Sequence, residues 1–214
     1  MVDESVTKAS KTATPDIKDQ EMTDVVFDLD GSAVAEGYPF ALWSEVVRCL
    51  PWLKNEEGAG ILPLRGSASG EHTLLSRRTK LVLRVPAMRA AQAGQLSGQQ
   101  LQVDGSILLV GKGRERPLQA STTLHAHLVE SNLGEVEFLA DMKAKLQAMN
   151  ISCNLICDKH RTVRGLKQTL SGFGLVLHDL KPLASIQIQR VGLGGARHFG
   201  CGLFVPFKAI TGLD

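Results

Sequence analysis

Asp24-Val25-Val26-Phe27-Asp28-Leu29-Asp30-Gly31 is an apolar, partly β-branched run closed by glycine, the pattern of a short strand. Tyr38 to Leu50 follows it with Phe40, Leu42, Trp43, Val46, Val47 and Leu50 at helical spacing, until Pro51 stops the helix. Outward from this pair, Ile61 to Leu64 reads as a short strand. Thr73 to Val85 alternates in part and ends at Pro86, and Ala87 to Leu96 is a short Ala-rich helix. Gln100 to Val110 holds two short strands around Asp104-Gly105, a hairpin dipeptide. The order β-α-β-β-α-β is the ferredoxin-like arrangement.

The second half repeats that order approximately. Ser121 to Val129 is a strand, and Val136 to Met149 an amphipathic helix with Val136, Phe138, Leu139, Met142 and Leu146 on one face. Ile151 to Ile156 and Gly172 to Leu180 are strands, Pro182 to Val191 a short helix, and Leu203 to Pro206 the last strand. The expected fold class is α+β, two tandem ferredoxin-like (RRM-like) domains with a C-terminal glycine-rich loop. The first domain covers residues 22–112 and the second 118–214, joined by a linker at Gly111 to Pro117. Residues 1–21, rich in Ser, Thr, Lys, Asp and Glu, read as a disordered tail.

Composition narrows the function classes. The chain has 214 residues, 43% of them hydrophobic and 21% charged, which excludes wholesale disorder. No apolar run approaches the roughly 18 residues of a membrane span, and the start has no signal-peptide core. With four cysteines, a reduced, cytoplasmic setting is expected. The 24 Lys and Arg against 22 Asp and Glu give +2. Residues 1–21 hold three Lys and five acids, so the rest carries 21 basic and 17 acidic residues, or +4. That charge permits a polyanionic partner. One Tyr, two Trp and seven Phe are too few for a base-stacking RNA-binding sheet, which counts against a generic tandem-RRM protein.

Val191 to Pro206 is the most distinctive segment. Gly192, Gly194, Gly195, Gly200 and Gly202 fall within eleven residues, immediately before an apolar strand. Such a loop permits positive φ, close backbone approach and an anion-binding nest of N–H groups. A tight connection is the plainer reading. The segment is neither a Walker A loop nor a dinucleotide fingerprint, since a strand rather than a helix follows it.

This loop resembles the C-terminal glycine-rich signature of the CRISPR-associated endoribonucleases that cut precursor CRISPR RNA within its repeats. Asp24 to Gly31, Tyr38 to Trp52, Leu62 to Gly66, Leu75 to Pro86, Leu96 to Gly111 and Pro117 to Val129 also resemble that family, nearest to its smaller proteobacterial branch. The resemblance spans about residues 23–207. It implies two ferredoxin-like domains, metal-independent cleavage of repeat RNA with no cofactor, and a product that stays bound through its hairpin. Implied partners are the CRISPR repeat RNA stem-loop and other effector subunits, with no membrane and no small-molecule cofactor. The family often starts its first helix with a catalytic His; Tyr38 stands there instead, which leaves a second reading open, an RNA-holding subunit with weak or no cleavage.

Metal-free RNA cleavage needs a base near the 2′-hydroxyl, an acid near the leaving 5′-oxygen, and donors for the phosphorane. The candidate catalytic residues are Tyr38, His198 and Arg197. Expected RNA contacts are three basic clusters and the loop glycines. The clusters are Arg77, Arg78, Lys80 and Arg84; Lys112, Arg114 and Arg116; and Lys159, His160, Arg161 and Arg164 in a basic loop. His125 and His127 alternate on one strand face, toward RNA or toward solvent. His72 is expected in a hairpin loop and His178 in a strand. Cys153, Cys157 and His160 lack a fourth ligand for zinc, so no metal site is expected.

Overall fold

Alternation along β1 (Met22–Asp30) sorts its side chains onto two faces. Val25, Phe27 and Leu29 pack into one core with Tyr38, Leu42 and Val46 of α1 (Tyr38–Cys49), which recur every four residues. Val26 points the other way, as do Asp24 and Asp28. The computed structural model describes residues 20–207, so all but the last two residues of the expected tail lie outside the described part.

The remaining elements of the first half are β2 (Ala33–Ala35), β3 (Gly60–Ile61), β4 (Ser67–Ser69), β5 (His72–Leu74), β6 (Lys80–Pro86), α2 (Ala90–Ala93), β7 (Gln100–Val103) and β8 (Ser106–Pro117). The main sheet runs β3-β6-β1-β8-β7, and a small sheet runs β2-β5-β4. The second half contributes β9 (Leu124–Glu130), α3 (Glu135–Ala148), β10 (Asn154–Arg164), β11 (Thr169–His178), α4 (Pro182–Val191) and β12 (Val205–Pro206), with sheet order β10-β11-β9-β12. In the second sheet the first strand lies between the third and the fourth, and the second is outermost beside the third; the main sheet has the same order, with the β7–β8 hairpin in the place of the fourth strand and β8 beside β1. This is the ferredoxin-like order, met twice. The second core joins Leu124, Ala126, Phe138, Met142, Leu146 and Leu175. Among the described residues no helix is long and apolar enough to cross a membrane.

Four expectations are corrected. Gly111 to Pro117 is not a linker but the far half of β8, paired with β1 from Thr23↔Pro117 to Phe27↔Gly113. Its glycines and charges are loop signals, yet Arg114 and Arg116 face the carboxylates of Asp28 and Asp24 across the sheet. The connection between the halves is therefore the shorter run 118–123. Thr73 to Val85 is two strands in two sheets, broken by a turn in which Ser76 N donates to Thr79 Oγ1. Lys159 to Arg164 is not a loop but the second half of β10, paired with β11. Val136 on α3 is exposed, while Phe138, Met142 and Leu146 carry the buried stripe.

Arg84 joins the two halves and is not an RNA contact. It is fully buried. Nε and Nη2 donate to Asp24 at 2.8 and 3.2 Å, and Nη1 donates to the carbonyls of Gln189 and Phe204 at 3.1 and 2.7 Å. Beside it, Val26, Leu62, Val82 and Leu203 form an apolar seam between the halves.

Candidate functional site

The outer face of the second sheet looks across a cleft to the first half. Leu124 and Ala126 of β9 turn into the core, so His125 and His127 stand on the opposite face. Asp158 and Arg161 of β10 share that face. Arg161 Nη2 donates to Asp158 Oδ2 at 2.7 Å, and Asp158 Oδ2 lies 3.7 Å from His125 Nε2. The cleft has a volume of about 980 Å³ and is closed from the first half by Glu36, Tyr38 and Arg65. Thr79 Oγ1, buried, donates to Arg65 O at 2.8 Å and anchors that segment. A smaller cavity of about 380 Å³ shares Arg65 and adds Arg78, Lys80 and Arg116. Together the two hollows form a track with cations along its length.

Burial lowers the pKa of His125; Asp158 opposes the shift and Arg161 adds to it. Burial between the cleft walls also lowers His127, reinforced by Arg161 and His125. Burial works to raise the Asp158 carboxyl, but the bonds from Arg161 and the Lys159 amide outweigh it and hold the pKa below its ordinary value. The result is a pair of imidazoles that favour the neutral form beside a fixed carboxylate and a guanidinium. Two imidazoles and several guanidiniums suit proton transfer at, and charge stabilisation of, a phosphate ester.

The family model of the CRISPR protein Cas6 matches residues 23–209. A curated relative, the CRISPR-associated endonuclease Cas6 of Myxococcus xanthus, is 31% identical over 185 residues, covering 86% of this chain and 80% of that protein. The chain belongs to the Cas6 family. Among solved structures it is similar to a CRISPR-associated Cas6 protein, with a TM-score of 0.61, 11% identity, and coverage of 88% of this chain and 100% of the other. It is also similar to a Cas6-related protein from Pyrococcus furiosus, with a TM-score of 0.60, 11% identity, and coverage of 86% and 97%. At these identities the likeness supports the shared tandem ferredoxin-like fold.

Within this Cas6 fold the expected catalytic residues do not converge. Arg197 is consumed by structure: Nε, Nη1 and Nη2 donate to the carbonyls of Gly58, Val191 and Arg190 at 2.7, 2.8 and 2.7 Å. Its pKa falls to about 9 through burial and the nearby Arg84. His198 packs between Trp43 and Phe199, with ring centroids 5.3 and 3.9 Å away, while Phe199, Gly200 and Cys201 supply the cleft wall. Burial lowers its pKa against the pull of Glu130. Tyr38 does line the cleft, but its hydroxyl accepts the Leu64 N–H at 2.8 Å, and burial pushes its pKa up to about 12. It cannot serve as a base near neutral pH. Tyr38→Phe leaves that amide unpaired and should lower stability by about 1–3 kcal/mol, read from urea unfolding.

The basic residues divide in the same way. Arg77 and Arg78 are exposed in the turn before β6, and Lys80 is held by Asp28 at 2.6 Å. Lys112, Arg114 and Arg116 are exposed on β8. Lys159, His160 and Arg164 are all exposed, and His160 sits edge-on to Phe173, on the face opposite Arg161. Strand alternation separates what looks contiguous in sequence. In the glycine loop, the amides of Gly192, Leu193, Phe199, Gly200, Cys201 and Gly202 all donate within the protein, so Gly192, Gly200 and Gly202 serve the joint rather than an open phosphate nest. Gly192, Gly194, Gly200 and Gly202 have positive φ; Gly195 does not. Arg65 and Asp158 escaped the sequence reading. Arg65 is an isolated charge in sequence, and Asp158 gains meaning only from its neighbours across the sheet.

Proposed function

We propose that this chain binds the repeat stem-loop of CRISPR precursor RNA, cleaves it by metal-independent attack of a 2′-hydroxyl, and stays on the product as a subunit of an effector complex. The observation that carries this reading is the cleft between the two sheets, where His125, His127 and Arg161 face Arg65 and the cations of the adjoining cavity. The Myxococcus relative, named an endonuclease, supports the same reaction class. Arg65, Arg78, Lys80, Arg116 and Arg161 supply the phosphate contacts. Asp28 and Asp24 share the charge of Lys80 and Arg116, so three or four net contacts are expected.

Two measurements test this. Affinity for a repeat stem-loop should fall by about 10²-fold between roughly 50 and 200 mM salt, as expected for three or four released counterions; a flat response would remove the track. Cutting should survive chelator and should stop when the nucleotide upstream of the cut is 2′-deoxy. Chelator-sensitive cutting, or cutting of the deoxy RNA, defeats the mechanism. Tyr38, buried and bonded to Leu64 where the family often has a His, favours the second reading of an RNA-holding subunit. Tight binding without cutting by the unmodified protein would establish that reading instead.

A further inference from the structure

The outer face of the second sheet is interrupted at one level on both sides of β11. Phe173 pairs with Val129 and Leu175 with Ala126, so His127 and Leu128 together oppose Gly174. On the other side, Leu175 pairs with Cys157 and Phe173 with His160, so Asp158 and Lys159 together oppose the same glycine. Two bulges thus flank one residue. A bulge leaves a residue unpaired, bends the strand and re-aims its side chains. Gly174 completes the device. A Cβ there would meet Arg161 Nη1 at 2.5 Å and Asp158 Oδ2 at 2.9 Å, so the ion pair lies directly over its backbone. His125 and His127 flank this spot, two positions apart on β9, which is about 6.6 Å along a strand. Phe207 stacks on the His125 ring at 5.2 Å.

We propose that His125 and His127 are the catalytic acid and base of this chain, set by the double bulge around Gly174, with Arg161 on the phosphate and Asp158 as the positioning residue. The proposal rests on the reading of the chain as an RNA-cleaving Cas6 protein and names the groups that do the chemistry. His127, beside Arg161 and His125, is the neutral partner and takes the proton from the 2′-hydroxyl. The 2′-oxygen bonds to phosphorus, the bond from phosphorus to the 5′-oxygen breaks, and protonated His125, beside Asp158, gives its proton to that oxygen. The products are a 2′,3′-cyclic phosphate and a 5′-hydroxyl, with no water or metal consumed. Arg161 uses two of its five N–H groups on Asp158 and the Lys159 carbonyl and keeps the rest for the phosphorane. The other groups that bear on the pair are Arg65, Glu36 and Tyr38 across the cleft. Since burial lowers both imidazoles, the rate optimum should lie on the acid side of neutrality, where one is protonated and the other is not.

The test is single-turnover cleavage of repeat stem-loop RNA by the full chain, followed against pH. His125→Gln and His127→Gln should each lower the rate about 10²–10³-fold and remove one limb of the bell, while gel-shift affinity stays within a few fold and thermal unfolding is unchanged. An RNA with a bridging 5′-sulfur leaving group needs no acid, so it should restore His125→Gln and leave His127→Gln slow. Asp158→Asn should move the alkaline limb, set by His125, to lower pH, which a purely structural residue would not do. A His125→Gln/His127→Gln double variant that folds and cuts at the unmodified rate overturns the proposal and leaves the Cas6 reading standing. If the unmodified protein binds its repeat RNA and never cuts it, the cleavage reading itself fails, and the proposal fails with it.

Discussion

Arg84→Met is expected to destabilise the protein by about 3 kcal/mol. Removing one partner of a buried ion pair costs about 3–5 kcal/mol, because the other charge is left without compensation. Here the stranded group is Asp24, 4% exposed, together with the carbonyls of Gln189 and Phe204. Arg116 still reaches Asp24 at 3.0 Å, which places the loss at the low end of that range. The damage should also be directional. Arg84 is a strand residue of the first sheet whose Nη1 bonds the end of α4 and the chain before β12, so amide hydrogen exchange should rise around Gln189 and Phe204 before it rises in either core. Replacing Asp24 by leucine in the same chain should recover part of the loss, since the orphaned charge is gone. A change under about 1 kcal/mol in urea unfolding would mean that the joint is held by the apolar seam alone.

Gly202→Ala should have an effect of similar size, from a different cause. Gly202 has φ 64, a left-handed conformation, and a Cβ there would land on the Leu193 carbonyl oxygen. Its N–H donates to Leu128 O at 2.7 Å, and its carbonyl accepts from Leu193 N at 3.3 Å, so the backbone is pinned on both sides. Left-handed strain and overpacking against backbone cost about 1–3 kcal/mol each. Together they take a large share of the 5–15 kcal/mol that holds a typical domain. Gly195→Ala is the control. It lacks positive φ, and its only near neighbour is the movable carboxylate of Glu130, so the change should stay within about 0.5 kcal/mol. Equal tolerance at both positions, read from thermal unfolding, would reduce the loop to a plain connection.

Local pattern along the chain was enough for the main elements and their order, though not for the small sheet β2-β5-β4 or the full length of β8 and β10. The alternation of β1, the four-residue recurrence in α1 and the stripe of α3 each depend on neighbours within a turn or two, and they yield the repeated β-α-β-β-α-β directly. The glycine-rich loop was legible for the same reason. What each charged residue does was not legible, because that depends on partners far away in sequence. Arg84 and Arg197 have the same composition signal as Arg78 and Arg161. The first two are buried only because the halves close on them, with bonds to residues 105, 120 and 139 positions away. His125 and His127 showed their shared face through alternation. The carboxylate and guanidinium beside them come from β10, separated by a long helix. The bulges that aim all four are faults of register between strands, which no single strand encodes. The chain by itself determined a tandem ferredoxin-like Cas6 architecture, since local periodicity and the resemblance of its segments suffice for that. Which cations meet solvent and which lock the joint was decided only when the two sheets packed, because burial is a property of the closed cleft and not of any one segment.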